Sequence, residues 1–223
     1  MRYLDEALRG TVPSSDALHA VDAETDHGLA SLTLLAARGV PDVRMWAAWA
    51  AEKVLGTNGT PVWVQLATDD DPEIAGYAIL CLAEYAPQEA RQLIPKLRRQ
   101  TRKHDPYLPT QAAWVLAAVG AKEARPDIEA LARDPKYPWH AIDAQVALMM
   151  LDGQDGEILE LLRRHERHEW TRALSFAATL IRSDASAAAL EEAAENSPDQ
   201  QCRVLAANAL DEWTRRQQAA KAR

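Results

Sequence analysis

Among 223 residues there is one phenylalanine, there are two cysteines, and no run of apolar residues is long enough to cross a bilayer. The missing apolar run excludes a transmembrane helix. So few cysteines exclude a disulfide-built scaffold. Cys81 and Cys202 are predicted to lie in helices several units apart, and they read as small core residues in a reducing compartment. No stretch sustains an alternation of β-branched and polar residues, so essentially no sheet is expected. A basic excess is missing as well: Lys and Arg number 25 against 33 Asp and Glu, for a formal net charge of −8. Phosphate neutralisation dominates nucleic-acid binding, so this balance argues against a general DNA or RNA binder. The opening Met1-Arg2-Tyr3-Leu4-Asp5-Glu6 has no continuous apolar segment, and no signal peptide is expected. These readings predict a cytoplasmic protein with no membrane contact.

What the chain does have is a recurring phrase. Its fullest form is Val40-Pro41-Asp42-Val43-Arg44-Met45-Trp46-Ala47-Ala48-Trp49-Ala50. It returns as Asp71-Pro72-Glu73-Ile74-Ala75-Gly76-Tyr77-Ala78, as Asp105-Pro106-Tyr107-Leu108-Pro109-Thr110-Gln111-Ala112, and as Ser197-Pro198-Asp199-Gln200-Gln201-Cys202-Arg203-Val204-Leu205-Ala206. The landmark alanines fall at 47, 78, 112 and 206, with weaker copies near 144 and 177. Successive spacings are 31, 34, 32, 33 and 29 residues. A period in this range signals stacked helical hairpins. Each unit is an amphipathic first helix, a turn that is often Asp-Pro, and a second helix rich in small residues. Asp caps a helix and Pro suits its first turn, so the dipeptide starts the second helix.

The pattern predicts helix pairs at 15–38 with 41–55, 61–68 with 72–86, 88–103 with 107–119, 122–133 with 137–151, 155–166 with 168–182, and 184–195 with 198–216. The expected organisation is one solenoid domain over 1–223, with repeats at 15–56, 57–87, 88–120, 121–153, 154–183 and 184–216 and a short polar tail. Function then belongs on an extended surface rather than in a deep pocket.

This phrase resembles the HEAT repeat, whose second helix carries an Asp, then Val-Arg, then paired alanines and a Leu. Asp42, Val43, Arg44, Ala47 and Ala48 match it, and Cys202, Arg203, Ala206, Ala207 and Leu210 match it again. The fourth and fifth units depart from it: they lack the Arg, and Pro135 and Pro138 crowd the fourth turn. The resemblance implies an all-α, right-handed α-α superhelix of about six hairpins. It also implies that the second helices line the concave surface.

On the second helix of the first unit, Val43, Ala47, Ala50 and Val54 share one face and form the expected core side. Met45, Trp49 and Glu52 lie opposite. Leu80 and Trp114 hold the phase of Trp49 in the next two units. Trp49, Leu80 and Trp114 are therefore expected either to form an apolar concave ridge, edged by Glu52 and Glu84, or to be buried by curvature. Aromatic anchors are enriched at binding hot spots, which favours naming the ridge as partner-binding. Trp139, His140 and Asp143 open the fourth second-helix and join the candidate set as an aromatic, a base and a carboxylate together. No Ser or Cys nucleophile stands beside them, and no catalytic residue is assigned.

Other clusters have plainer explanations. Asp69-Asp70-Asp71 precedes Pro72, where capping accounts for it; a Ca²⁺ loop would need more spaced oxygens. Lys96, Arg98, Arg99, Arg102, Lys103 and His104 close the first helix of the third unit, where cations complement the helix dipole. His165-Glu166-Arg167-His168-Glu169 invites a metal reading, because deoxyhypusine hydroxylases are HEAT-repeat enzymes that hold iron with His-Glu pairs. Their pairs come from separate repeats, whereas both pairs here fall in one turn, so a solvated helix junction is expected. No metal and no cofactor are assigned.

The functional expectation is a protein-binding module: an adaptor, or an inhibitor such as an immunity protein, that takes a basic partner on its concave face. The resemblance also brings two alternatives, an alkylpurine DNA glycosylase-type enzyme and a lyase or maturation subunit like the HEAT-like phycobilisome lyases. Elemental analysis of protein purified without chelator is expected to find no stoichiometric iron or zinc; finding either would turn His165 and His168 into ligand candidates.

Overall fold

Aspartate at the turn starts the second helices by satisfying their first amides. Asp71 Oδ1 accepts from Glu73 N at 2.9 Å and Ile74 N at 3.5 Å, and Pro72 follows as the first helical residue. Asp105 Oδ1 does the same for Tyr107 N at 2.9 Å and Leu108 N at 2.7 Å. Asp199 Oδ1 accepts from Gln201 N at 2.6 Å and Cys202 N at 3.1 Å. These amides have no partner inside their own helix, so the carboxylate fixes where each helix begins. In the first unit Pro41 opens the helix without a side-chain cap.

The computed structural model describes residues 2–13, 25–134, 137–164, 168–181 and 183–221. Helix α1 (Arg2–Leu8) precedes the hairpins. The hairpins pair α2 (Thr25–Arg38) with α3 (Pro41–Ala50), α4 (Thr60–Leu66) with α5 (Pro72–Tyr85), and α6 (Pro87–Gln92) plus α7 (Ile94–Gln100) with α8 (Leu108–Ala118). They continue with α9 (Arg125–Ala132) and α10 (Pro138–Leu151), α11 (Asp155–Arg164) and α12 (Thr171–Ile181), and α13 (Asp184–Asn196) and α14 (Gln200–Lys221). No strand occurs among the described residues. The architecture is an all-α HEAT-like solenoid.

Three details differ from expectation. Helix α1 was not foreseen. The helix expected at 88–103 breaks at Leu93, because Pro95 has no N–H to bond back to Arg91. The end of α3 widens into a π turn at Ala51–Leu55. Of the first expected helix, 15–24 lies outside the described residues, as does Pro135 of the fourth turn.

Second helices stack in succession: α3 on α5, α5 on α8, α8 on α10, α10 on α12 and α12 on α14. The seam is built from the landmark alanines. Ala47, Ala78, Ala112, Ala144, Ala177 and Ala206 are all fully buried. A methyl side chain lets two helix backbones approach closely, and larger side chains would hold them apart. Trp63 is buried under the first hairpin and donates its Nε1–H to Ala48 O at 3.1 Å.

Polar links cross the joints at about one repeat length. Arg44, the Arg of the recurring phrase, forms a fork on Asp69 (Nε–Oδ2 2.7 Å, Nη2–Oδ1 2.8 Å) and also donates to Gly39 O at 2.9 Å. The fork explains the acid run better than capping alone: Asp71 caps, while Asp69 holds Arg44. From the basic cluster, Lys96 donates to Ala67 O at 2.5 Å, and Arg98 and Arg102 both bond the buried carboxylate of Asp127. So half of that cluster is committed to joints between units.

Enlarging Ala112 to Leu forces extra carbons into a seam that has no room. A loss of about 1–3 kcal/mol is expected, read as a lower melting temperature with helical content retained. An unchanged melting temperature would show that the seam lies elsewhere.

Candidate partner-binding cleft

The second helix of the second unit supplies one wall of a cleft. Tyr77, Leu80, Cys81 and Glu84 stand at i, i+3, i+4 and i+7, so they share one face of α5. The core side of the same helix is Ile74, Ala75, Ala78, Ile79 and Leu82, all buried. Glu52, on the π turn after α3, closes one end. The opposite wall comes from α12, three units further along, through Phe176 and Leu180. Together these residues enclose about 100 Å³. Glu52 is anchored: the Tyr77 hydroxyl donates to its Oε2, and Lys53 Nζ lies 3.5 Å from the same oxygen. Glu84 is 8% exposed.

The far wall exists because the superhelix is tight. Helix α12 packs not only on α10 and α14 but also, past α10, on α8. The Phe176 ring meets Trp114 edge-on at 5.3 Å between centroids. That contact corrects one expectation. Trp114 is 2% exposed and is no part of an open ridge; curvature brings α12 across it. Met45 and Trp49 are half-buried and pack against the core. Of the predicted concave set, Leu80, Glu52 and Glu84 are the ones brought together.

His140 and Asp143 need the same correction, because each is only 1% exposed. His140 Nε2 donates to Pro106 O at 2.8 Å; a carbonyl only accepts, so this nitrogen carries the proton. Its Nδ1 faces Asp134 Oδ2 at 4.0 Å, beyond hydrogen-bond reach. Trp139 stays 41% exposed and sends its Nε1–H to the same Pro106 carbonyl at 3.3 Å. Asp143 accepts from Arg172 Nη2 on both oxygens, at 2.7 and 2.6 Å. Burial pushes the Asp143 carboxyl above the ordinary aspartate range, against the opposing pull of Arg172 and His140. His140 and Asp143 thus fasten the third, fourth and fifth units together.

Tyr77, Cys81, Phe176 and Leu180 were missed from sequence. Tyr77 and Cys81 were legible, since they flank Leu80 on one helical face. Phe176 and Leu180 were not, because nothing local says that α12 faces α5. Cys81 and Cys202 are both buried, and neither is in a disulfide. Of the His-Glu cluster, His165, Glu166 and Arg167 lie outside the described residues, while His168 and Glu169 belong to a short 3₁₀ turn. None of the described helices is long and apolar enough to cross a membrane.

The family of HEAT repeats matches residues 60–149, a span that contains α4 to α9 and most of α10. No curated protein matches the chain.

The joint carboxylates generate a pH prediction. Although burial opposes it, hydrogen bonds and charge from Arg98 and Arg102 hold the Asp127 carboxyl below the ordinary aspartate range, and Arg44 does the same for Asp69. A carboxylate depressed on folding stabilises above its unfolded value and loses that contribution as pH falls towards the folded value. The loss is therefore expected below about pH 4. Asp143, raised on folding, runs the other way: its contribution is present in acid and is lost as pH rises through its folded value. Asp127→Asn is expected to cost on the order of 1–3 kcal/mol at neutral pH and to flatten the acid side of a melting-temperature profile. An acid limb identical to wild type would show that the Asp127 bridge contributes nothing.

Proposed function

From a chain of the HEAT-repeat family, we propose an adaptor or inhibitor that binds a basic protein partner at the cleft between α5 and α12. HEAT repeats generally mediate contacts between proteins, and the site here suits that task. The observation that carries the reading is the cleft itself. Apolar Leu80, Phe176 and Leu180 stand beside two carboxylates from different elements, Glu52 and Glu84. The net charge of −8 acts in the same direction, steering a basic partner toward the molecule. Inhibition of a basic enzyme or toxin domain, as an immunity protein does it, is the finer form of this proposal.

The catalytic alternatives draw no support from the candidate aspartate. Asp143 is closed off, with both oxygens on Arg172. A buried, paired carboxylate at a joint is explained by packing.

Leu80→Glu is the test. It sets a third carboxylate at the centre of the cleft, on a residue that is only partly buried. Wild-type protein used as bait is expected to retain a partner in a salt-sensitive manner. The variant, with the same circular dichroism, is expected to retain it at least tenfold less, the size of effect known for hot-spot residues. Equal retention by both would move the binding surface away from this cleft.

A further inference from the structure

We propose that the edge formed by the turns of the first four hairpins docks a second copy of this chain, antiparallel to the first. The four turns run side by side, and links across the joints place them so. Arg44, which donates to Gly39 O in the first turn, forks on Asp69 in the second. Lys96, on α7 just before the third turn, donates to Ala67 O in the second. Trp139 and His140, at the start of α10, both bond Pro106 O in the third. Asp42, Glu73, Tyr107 and Trp139 then hold one repeat position, each just after a proline and five residues before a landmark alanine. Along the edge that position reads acid, acid, aromatic, aromatic.

Charge divides at the same place. Asp42, Asp70 and Glu73 are exposed at the first two turns, and Lys103 and Arg133 at the next two, with Arg99 one helical turn before Lys103. Among the described residues, charges that would break this division are turned to other tasks. Arg38 lines a groove between α2 and α4, Arg44 is held by Asp69, Asp105 caps α8, and Asp134 faces the buried His140. Val40, Tyr107 and Trp139, three of the large apolar side chains that stay exposed, lie on this edge as well. An edge whose halves carry opposite charge is complementary to itself after half a turn of rotation. With the twofold axis between the second and third turns, the first turn meets the fourth of the second copy and the second meets the third, so every pair forms twice. Asp42 then meets Arg133, with Val40 against Trp139; Asp70 and Glu73 meet Lys103, with Tyr107 alongside. The apolar side chains supply anchors. The exposed ion pairs add little energy but fix the register. A nucleic acid or an acidic protein would suit the basic half alone, whereas a second copy uses both halves.

The experiment is analytical ultracentrifugation of the full chain over a wide range of protein concentration, at about 0.05 and about 0.5 M salt. A reversible monomer–dimer equilibrium is expected, with a dissociation constant several-fold larger at the higher salt. Glu73→Lys and Lys103→Glu are each expected to weaken the dimer about tenfold, because symmetry sets the like charges against each other at two places. One chain carrying both changes has the two charges exchanged, and its dissociation constant should return to within about threefold of the wild type, since each new pair is again of opposite sign. Tyr107→Ser removes an exposed anchor and should cost about tenfold. Circular dichroism checks that each variant is folded; should Glu73→Lys disturb the start of α5, Lys103→Glu and Tyr107→Ser carry the test. A chain that stays monomeric throughout overturns the proposal and leaves this edge to a different partner. A dimer strengthened by salt, one that tolerates the folded single variants unchanged, or a double variant no better than the singles would overturn it as well.

Discussion

The close approach of successive second helices at their alanines is the constraint on which the rest of this structure depends. Six landmark alanines, one from each hairpin, are fully buried along the seam. Their small volume sets the helix separation, and that separation sets the curvature. Curvature brings α12 over Trp114 and opposite α5, and without that return there would be no cleft. The cleft thus follows from packing between units, and no single unit contains it.

A second layer of interaction fixes the joints. Arg44 on Asp69, Arg98 and Arg102 on Asp127, and Arg172 on Asp143 each tie one unit to the next across about one repeat. These pairs are chemically alike but electrostatically different. Asp69 and Asp127 are held ionised by their arginines. Asp143 lies deeper, and desolvation outweighs its partner. Such pairs contribute direction more than energy: a buried carboxylate that must meet its guanidinium permits one register between neighbours, whereas alanine against alanine permits several.

The hairpins were legible because the information that makes them is local. Asp71, Asp105 and Asp199 cap helices within three residues of themselves, and the landmark alanines recur at a fixed spacing. Breaks in the pattern were harder to read. Pro95 splits one helix, a signal that was present but passed over. The π turn after α3 has no comparable marker. Among the candidate site residues, Leu80, Glu52 and Glu84 were named from helical phase, and they do come together. Trp114 shared that phase and is buried, since phase tells which way a side chain points from its own helix but not what lies across from it.

Sequence alone therefore determined the helices, their order, the seam they share and the acidic balance of the molecule, because each depends on residues within a turn or a repeat of one another. Tertiary structure decided which side chains remain accessible. His140 and Asp143 could have formed a small polar site, and packing against Pro106 and Arg172 closed them instead. Phe176 and Leu180 carried no functional signal until the superhelix set them against α5. Accessibility depends on accumulated rotation over several joints, and a small change in each joint adds up along the stack. That sum is a property of the whole assembly of hairpins, and no single segment of the chain encodes it.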